Sequence, residues 1–276
     1  MATQRQRPAS IRLRELQNDG ALWKKLLAAV VATALLSPAA AAQDLTVMTS
    51  GGFTAAFERL APQYSRQTGV TVVTLHGPSM GQTPQAIPNR LARGEHADVV
   101  IMVGSALQKL IDAGLVDPAS RVELADSRIG MVVRSGAPKP QIDTVEQFKH
   151  ALLQADSVAY SDSASGVYIE TTLFKQLQIQ GPMMAKSRKI ERIPVGSVVA
   201  DGSYQLGFQQ VAELLPVAGV DVVGKIPEQL QSITRYAAGV PVSADHPAAA
   251  RRLLAYLQSG DAQAVARATG LDPVSP

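Results

Sequence analysis

The sequence predicts an α/β protein of two successive blocks, each a mostly parallel sheet flanked by helices. Three observations carry that prediction. Short β-branched, apolar runs alternate with segments whose apolar residues recur at spacings of three and four. Several of the strand-like runs end in Gly/Ser turns that open directly into helical segments. The same order of elements returns in the second half, with no Gly/Ser-rich linker between the blocks.

Leu45 to Thr49 reads as a buried strand and Thr54 to Gln67 as an amphipathic helix, because Phe53, Phe57, Leu60, Ala61 and Tyr64 share one face. Residues 70–76 (VTVVTLH) form a second strand, a helix follows around Gln85 to Arg93, and residues 97–104 (ADVVIMVG) form a third strand. Ala106 to Ala113 is the next helix, and Gly114 stops it. The second block runs as strand Arg128 to Gly136, helix Val145 to Ala155, strand Ser157 to Ser163, helix Val167 to Gln178 and strand Gln205 to Gln210. Strands at Asp221 to Gly224 and Ile233 to Gly239 and a helix from Pro247 to Ser259 close the chain. Tyr204 and Phe208 read as core.

A chain of 276 residues with 46% hydrophobic residues can bury one large core or two smaller ones, which excludes a disordered protein. Aromatics make up only 4%, with Trp23 the sole tryptophan, so few rings are present to stack on bases. The formal charge of +3 divides unevenly along the chain. Residues 1–42 hold six Lys/Arg against two Asp/Glu, whereas the remainder holds 20 against 21. The body is therefore near neutral, and a nucleic-acid reader is disfavoured.

The basic start has its own reading. Lys24 and Lys25 precede eleven uncharged residues, Leu26 to Leu36, followed by Ser37, Pro38 and the run Ala39 to Ala42. This is the pattern of a cleavable export signal, with cleavage expected near Ala42. The apolar run is about half of the roughly 20 residues that a membrane span needs. The expected location is the periplasm, without stable membrane insertion once the signal is removed. The absence of cysteine excludes a disulfide framework, a thiolate nucleophile and a Cys-based zinc site.

Three turns carry candidate chemistry: Ser50 to Phe53, Gly77 to Gly81, and Ser161 to Gly166. Each links a strand end to a helix start, where unpaired backbone N–H groups receive anions without a cationic side chain. Serine hydroxyls beside those amides add donors. In open α/β sheets, such turns lie at the carboxyl ends of strands, where ligands collect.

The segments LTVMTSGGFTAAFERLAPQYSRQTGVTV, GPSMG and RLARGEHADVVIMVGSALQKLIDAGLV resemble the periplasmic molybdate-binding proteins of ABC importers and the two-lobed solute-binding proteins around them. The resemblance implies a two-lobed periplasmic binding protein of type II, with the lobes joined by two crossing strands and a small anion clamped between them. Lobe one is then residues 44–125 plus 238–276, lobe two is residues 126–237, and Gly130 to Arg134 and Ile233 to Gly239 are the crossing strands. Carried over position by position, the anion-contacting turns fall on Ser50, Gly51, Gly52 and Phe53, on Pro78, Ser79 and Met80, and on Ser163, Ala164, Ser165 and Gly166. Tyr168 and Tyr160, next to the third turn, could face the ligand. The late polar position falls on Gln210, beside Gln209.

Two positions depart from the family pattern: Gly52 stands where a serine is expected, and Gln210 where a tyrosine is usual. Both changes remove hydroxyl donors suited to a tetrahedral oxyanion. A backbone-rich cleft with Gln209 and Gln210 offers amide donors to carboxylates instead, so a small di- or tricarboxylate is the alternative ligand. The expected protein is a monomer without catalytic activity or cofactor that hands its anion to an importer permease, or alternatively serves a sensor.

A sharper chemistry is also written in the sequence. Gly77-Pro78-Ser79-Met80-Gly81 fits the G-x-S-x-G elbow of serine hydrolases, with His246 as a base late in the chain. Only about 35 residues of the mature chain precede it, too few for the strands and oxyanion loop that usually come first. His76, His96, His150 and His246 show no metal-ligand spacing. The basic run of residues 186–192 (KSRKIER) reads as a solvated loop, with a docking surface for another protein as the alternative; Asp162, inside the third turn, either repels an anion there or serves as a helix cap or solvent-facing acid.

Overall fold

The computed structural model describes residues 44–274, and the expected export signal lies outside them. In chain order the elements begin with β1 (Asp44–Thr49), α1 (Thr54–Thr68), β2 (Thr71–His76), α2 (Ile87–Ala92), β3 (Val99–Val103) and α3 (Gly104–Asp112). β4 (Val122–Ser127) and β5 (Ile129–Arg134) follow, then α4 (Val145–Gln154), β6 (Val158–Ser161) and α5 (Ala164–Tyr168). A π turn at Ile169–Leu173 leads into α6 (Phe174–Gln176), α7 (Gln180–Lys186), β7 (Ser187–Ile190), α8 (Val195–Ala200), β8 (Leu206–Gln210) and α9 (Val211–Leu214). β9 (Val220–Lys225), β10 (Thr234–Gly239), α10 (Pro247–Leu257), α11 (Gly260–Ala268) and β11 (Asp272–Pro273) complete the described chain.

These strands make two sheets, ordered β11-β4-β10-β3-β1-β2 and β7-β6-β8-β5-β9. Each has three parallel strands along one side, β2-β1-β3 and β7-β6-β8, with β2 and β7 at the edges, as the alternation of strands and helices requires. Antiparallel strands extend both: β10 beside β3 and β4, and β5 beside β8 and β9. The antiparallel members flank the two places where the chain changes sheets. One change is made across Arg128, between β4 and β5, and the other through residues 226–233, between β9 and β10. Of the expected crossing strands, residues 130–134 lie on the second-sheet side of the first passage and residues 234–239 on the first-sheet side of the second.

Both passages are pinned. Gln210, buried at the end of β8, accepts a hydrogen bond from Ser127 Oγ (2.7 Å) and donates one to Thr234 Oγ1 (3.0 Å), so one second-sheet side chain joins the two paired first-sheet strands β4 and β10. Arg128 forms ion pairs with Glu228 at 2.8 Å and Asp272 at 2.7 Å, linking the first passage to the second and to β11.

The first sheet is covered on both faces. α1 buries Ala56, Phe57, Leu60, Ala61 and Tyr64 in a core shared with Leu253, Leu254 and Leu257 of α10, as its three-and-four spacing predicts. Truncating Phe57 to alanine there would cost about 3–5 kcal/mol. Ile87, Leu91 and Leu107 fill the opposite face. In the second sheet, Phe148 of α4 meets Phe208 of β8 edge to face, with ring centroids 5.9 Å apart. The basic run expected as a loop is largely β7, an edge strand whose Arg188 and Lys189 are exposed. Among the described residues, no helix is long and apolar enough to cross a membrane.

Candidate functional site

The carboxyl ends of β1, β2 and β3 lie side by side, which brings the first two turns together. Ser50 N–H donates to Ile101 O (3.0 Å), and Gly77 N–H donates to Thr49 O (3.1 Å). Ser50 Oγ and Ser79 Oγ are consequently 2.5 Å apart, both side chains buried, and Ser79 Oγ also accepts the Val103 N–H at 2.9 Å. Pro78 and Met80, on either side, are exposed. Among the described residues Ser79 Oγ bonds Ser50 and Val103 rather than a histidine, and His246 lies instead at Asp98, with Nδ1 3.5 Å from Oδ1. The serine-hydrolase geometry is therefore not assembled among the described residues.

Gly51 adopts φ +35°, a left-handed value that favours glycine, and Gly52 is buried against Tyr236. The Gly52 N–H donates to Tyr236 Oη at 3.0 Å. A β-carbon on Gly52 would stand 2.9 Å from that oxygen and 3.2 Å from the ring, so the serine expected from the family pattern does not fit beside this tyrosine. The aromatic hydroxyl missing at position 210 has a counterpart here, supplied by β10.

In the second sheet, Ser161 Oγ lies 2.7 Å from Ser163 Oγ and 3.0 Å from Ser165 Oγ, and the latter two are 3.2 Å apart. Gly166 makes this close cluster possible, since a β-carbon there would come within 1.6 Å of Ser161 O. Ala164 is exposed at the helix start, and Asp162 accepts the Arg192 N–H at 3.3 Å.

Other expected positions are committed elsewhere. Tyr168 Oη donates to Leu230 O (2.9 Å), and Gln210 belongs to the sheet passages. Gln209 has two roles: its Oε1 accepts the Val195 N–H at 3.0 Å, and its side chain also bears on Glu213.

One further residue beside the first turn is not marked by the sequence pattern. Glu213, on the short helix α9 after β8, lies against the Gly51–Phe53 turn: a β-carbon placed on Gly51 would meet Glu213 Oε1 at 2.8 Å and Tyr236 Oη at 3.5 Å. Glu213 Oε2 is fully buried and has no hydrogen-bond partner. Burial pushes the carboxyl up to about 7; the Gln209 side chain opposes that rise and the negative charge of Asp162 adds to it. Burial, with the nearby Glu213 charge, likewise raises the Tyr236 hydroxyl, so it keeps its proton at neutral pH. The first turn is thus flanked by a protonated tyrosine and by a carboxyl able to hold or release a proton near pH 7. No local motif marks Glu213 or Tyr236; only the approach of α9 and β10 to the first turn does.

The chain is 53% identical over 241 residues to an aconitate isomerase from a Pseudomonas species, a match covering 86% of this chain and 92% of that one. This relative overturns the expectation of a protein without catalytic activity, for it is named as an enzyme at high identity over nearly the whole fold. That expectation rested on the binding-protein resemblance, and a fold does not dictate what its site does. Two solved structures share the architecture. The periplasmic molybdate-binding protein of Azotobacter vinelandii aligns with a TM-score of 0.67 at 24% identity, covering 84% of this chain and 99% of that chain. The substrate-binding domain of a putative molybdenum ABC transporter from Clostridium difficile aligns at 0.68 and 16% identity, with the same coverages. With a sequence match spanning residues 45–272, and with two three-strand parallel cores joined by two passages, the chain belongs to the bacterial extracellular solute-binding proteins.

Proposed function

We propose that this protein is an exported isomerase that interconverts the geometric isomers of aconitate, or of a close unsaturated tricarboxylate, between its two lobes. The observation that carries this reading is the 53% identity to the Pseudomonas aconitate isomerase. The chemistry of the turns supports it. A tricarboxylate presents several anionic groups at once, and buried hydroxyls stand on both sides of the site, Ser50 and Ser79 on one sheet and Ser161 and Ser165 on the other. The first-sheet residues, 44–127 with 234–274, act as one lobe and the second-sheet residues, 129–225, as the other, a few residues from the bounds expected from the sequence, and closure needs contacts from both. Residues 1–42 direct export to the periplasm and are removed.

Interconversion requires either rotation about a carbon–carbon double bond or its migration. Migration is the easier route, because removing a proton from the methylene carbon leaves charge spread over the adjacent double bond and carboxylates. Hydroxyl donors held in place around that charge stabilise it. The direct test incubates the mature protein with trans-aconitate, and separately with cis-aconitate, and follows the isomers by proton NMR. Equilibration from both directions is expected, and slower from a methylene-deuterated substrate. If neither isomer turns over, and molybdate raises the melting temperature where tricarboxylates do not, an oxyanion carrier delivering to an importer replaces this reading.

A further inference from the structure

We propose that Glu213 is the catalytic group of this isomerisation, taking the proton from the methylene carbon and returning it to the far end of the allylic system on the same face. The inference rests on the isomerase reading and assigns the step within it. In the first half, the methylene C–H bond breaks, the proton passes to the Glu213 carboxylate, and the electron pair delocalises through the double bond. In the second half, the carboxylic acid returns the proton to the former vinyl carbon, the double bond is left between the other two carbons, and the carboxylate is restored. Atoms and electrons balance without oxidant, reductant or co-reactant.

Position supplies the first argument. Glu213 comes from the second-sheet side, reaches the Gly51 turn of the first-sheet side, and senses the charge of Asp162 in the third turn. A ligand shared by those turns lies beside its carboxyl. Valence supplies the second: Oε2 is sealed from solvent and unpaired, a costly arrangement for a residue whose role is only structural. Gly51 supplies the third: a β-carbon there would stand 2.8 Å from Oε1, so a residue without a side chain is what lets the carboxyl lie against this turn.

The other titratable groups are placed for different work. Asp162 is exposed and accepts the Arg192 N–H. Asp98 is buried and held by the N–H groups of Thr46 and His246. His76 is exposed near Glu58, and His96 lies between Asp98 and Asp245. Tyr236 keeps its proton, which suits it to donate toward the charge that develops when the substrate loses its own. The groups that bear on the Glu213 carboxyl are therefore Tyr236 of β10, Gln209 of β8 and, through its charge, Asp162 just past β6.

The test compares wild type, Glu213→Gln and Glu213→Asp with trans-aconitate. Turnover by Glu213→Gln is expected to fall about 10²–10⁴-fold, the range removed with a general acid–base, while calorimetry with trans-aconitate still shows binding and Glu213→Asp restores part of the rate. Turnover within about tenfold of wild type would remove Glu213 from the proton path and leave the isomerase reading standing. A wild type that turns over neither isomer would sink both. The pH profile of wild-type kcat reads the group without any substitution: an inflection near neutrality is expected, and a flat profile from about pH 5 to 9 would overturn the assignment.

Discussion

Gly52 and Tyr236 form a matched pair, one supplying a backbone N–H and no side chain, the other a buried hydroxyl that accepts it at 3.0 Å. Tyr236→Phe leaves that N–H without its partner and is expected to cost about 1–3 kcal/mol in urea unfolding. Gly52→Ser pushes a β-carbon against the ring and is expected to destabilise by a similar about 1–3 kcal/mol. The double substitution should cost less than the sum of the two, because removing the hydroxyl makes room for the serine. Strict additivity would contradict the pairing.

The hydroxyls on the two sheets should act on one ligand. Ser79→Ala and Ser165→Ala are each expected to weaken trans-aconitate binding about tenfold or more, since a hydrogen bond to a charged group contributes about 1.5–3 kcal/mol. Isothermal calorimetry checks this, and unaltered affinity in both variants would remove the shared site.

Glu213 should make the fold less stable as pH rises. Its carboxyl is pushed up to about 7 in the folded state from an ordinary value of 4.5. Below pH 4.5 both states hold the proton and the group is neutral to stability. Between 4.5 and 7 the folded state holds more of it, so stability declines with rising pH and levels off above 7. The total is on the order of 3 kcal/mol. Glu213→Gln should flatten this decline in denaturant melts at pH 5, 6, 7 and 8. A wild-type slope equal to that of the variant would count against the buried carboxyl.

Asp98 works in the opposite direction. Burial alone would raise its carboxyl, but the N–H groups of Thr46 and His246, together with His96, hold it below the ordinary carboxylate range. Its contribution is present above the ordinary value and lost as pH falls through the lowered one. It joins the start of β1 to the entry of α10, and Asp98→Asn is expected to cost about 2–4 kcal/mol, measured by urea unfolding at neutral pH.

Gly166→Ala should be among the most disruptive single-methyl additions, because the new carbon would lie 1.6 Å from Ser161 O. A loss of about 3 kcal/mol or more is expected, with the serine cluster displaced. A melting temperature equal to wild type would mean that α5 can pull away from β6.

The first block is legible in the sequence because its signals agree: the apolar stripe of α1, the alternating Leu45, Val47 and Thr49 of β1 with Met48 beside them, and the all-apolar run of β3 point to buried elements in alternation. β4 (VELADS) lacks clean alternation, and β7 (SRKI) carries two exposed cations that suit an edge strand as well as a loop. The turns at Ser50, Ser79 and Ser165 are visible because clustered glycine and serine between a strand-like and a helix-like run mark a turn. Glu213 and Tyr236 are invisible for the opposite reason. A glutamate in a short helix and a tyrosine in a strand are ordinary locally, and only long-range packing brings them to Gly51 and Gly52.

The end of β8 also sets a limit on how this protein can change. Neighbouring strand residues face opposite ways, so Gln209 turns toward Glu213 while Gln210 turns into the passages between the sheets. Chemistry and articulation are thus divided between two adjacent, identical side chains. Substitution at either one can alter its own task alone, but a single inserted or deleted residue in β8 would exchange their directions and disturb both tasks at once.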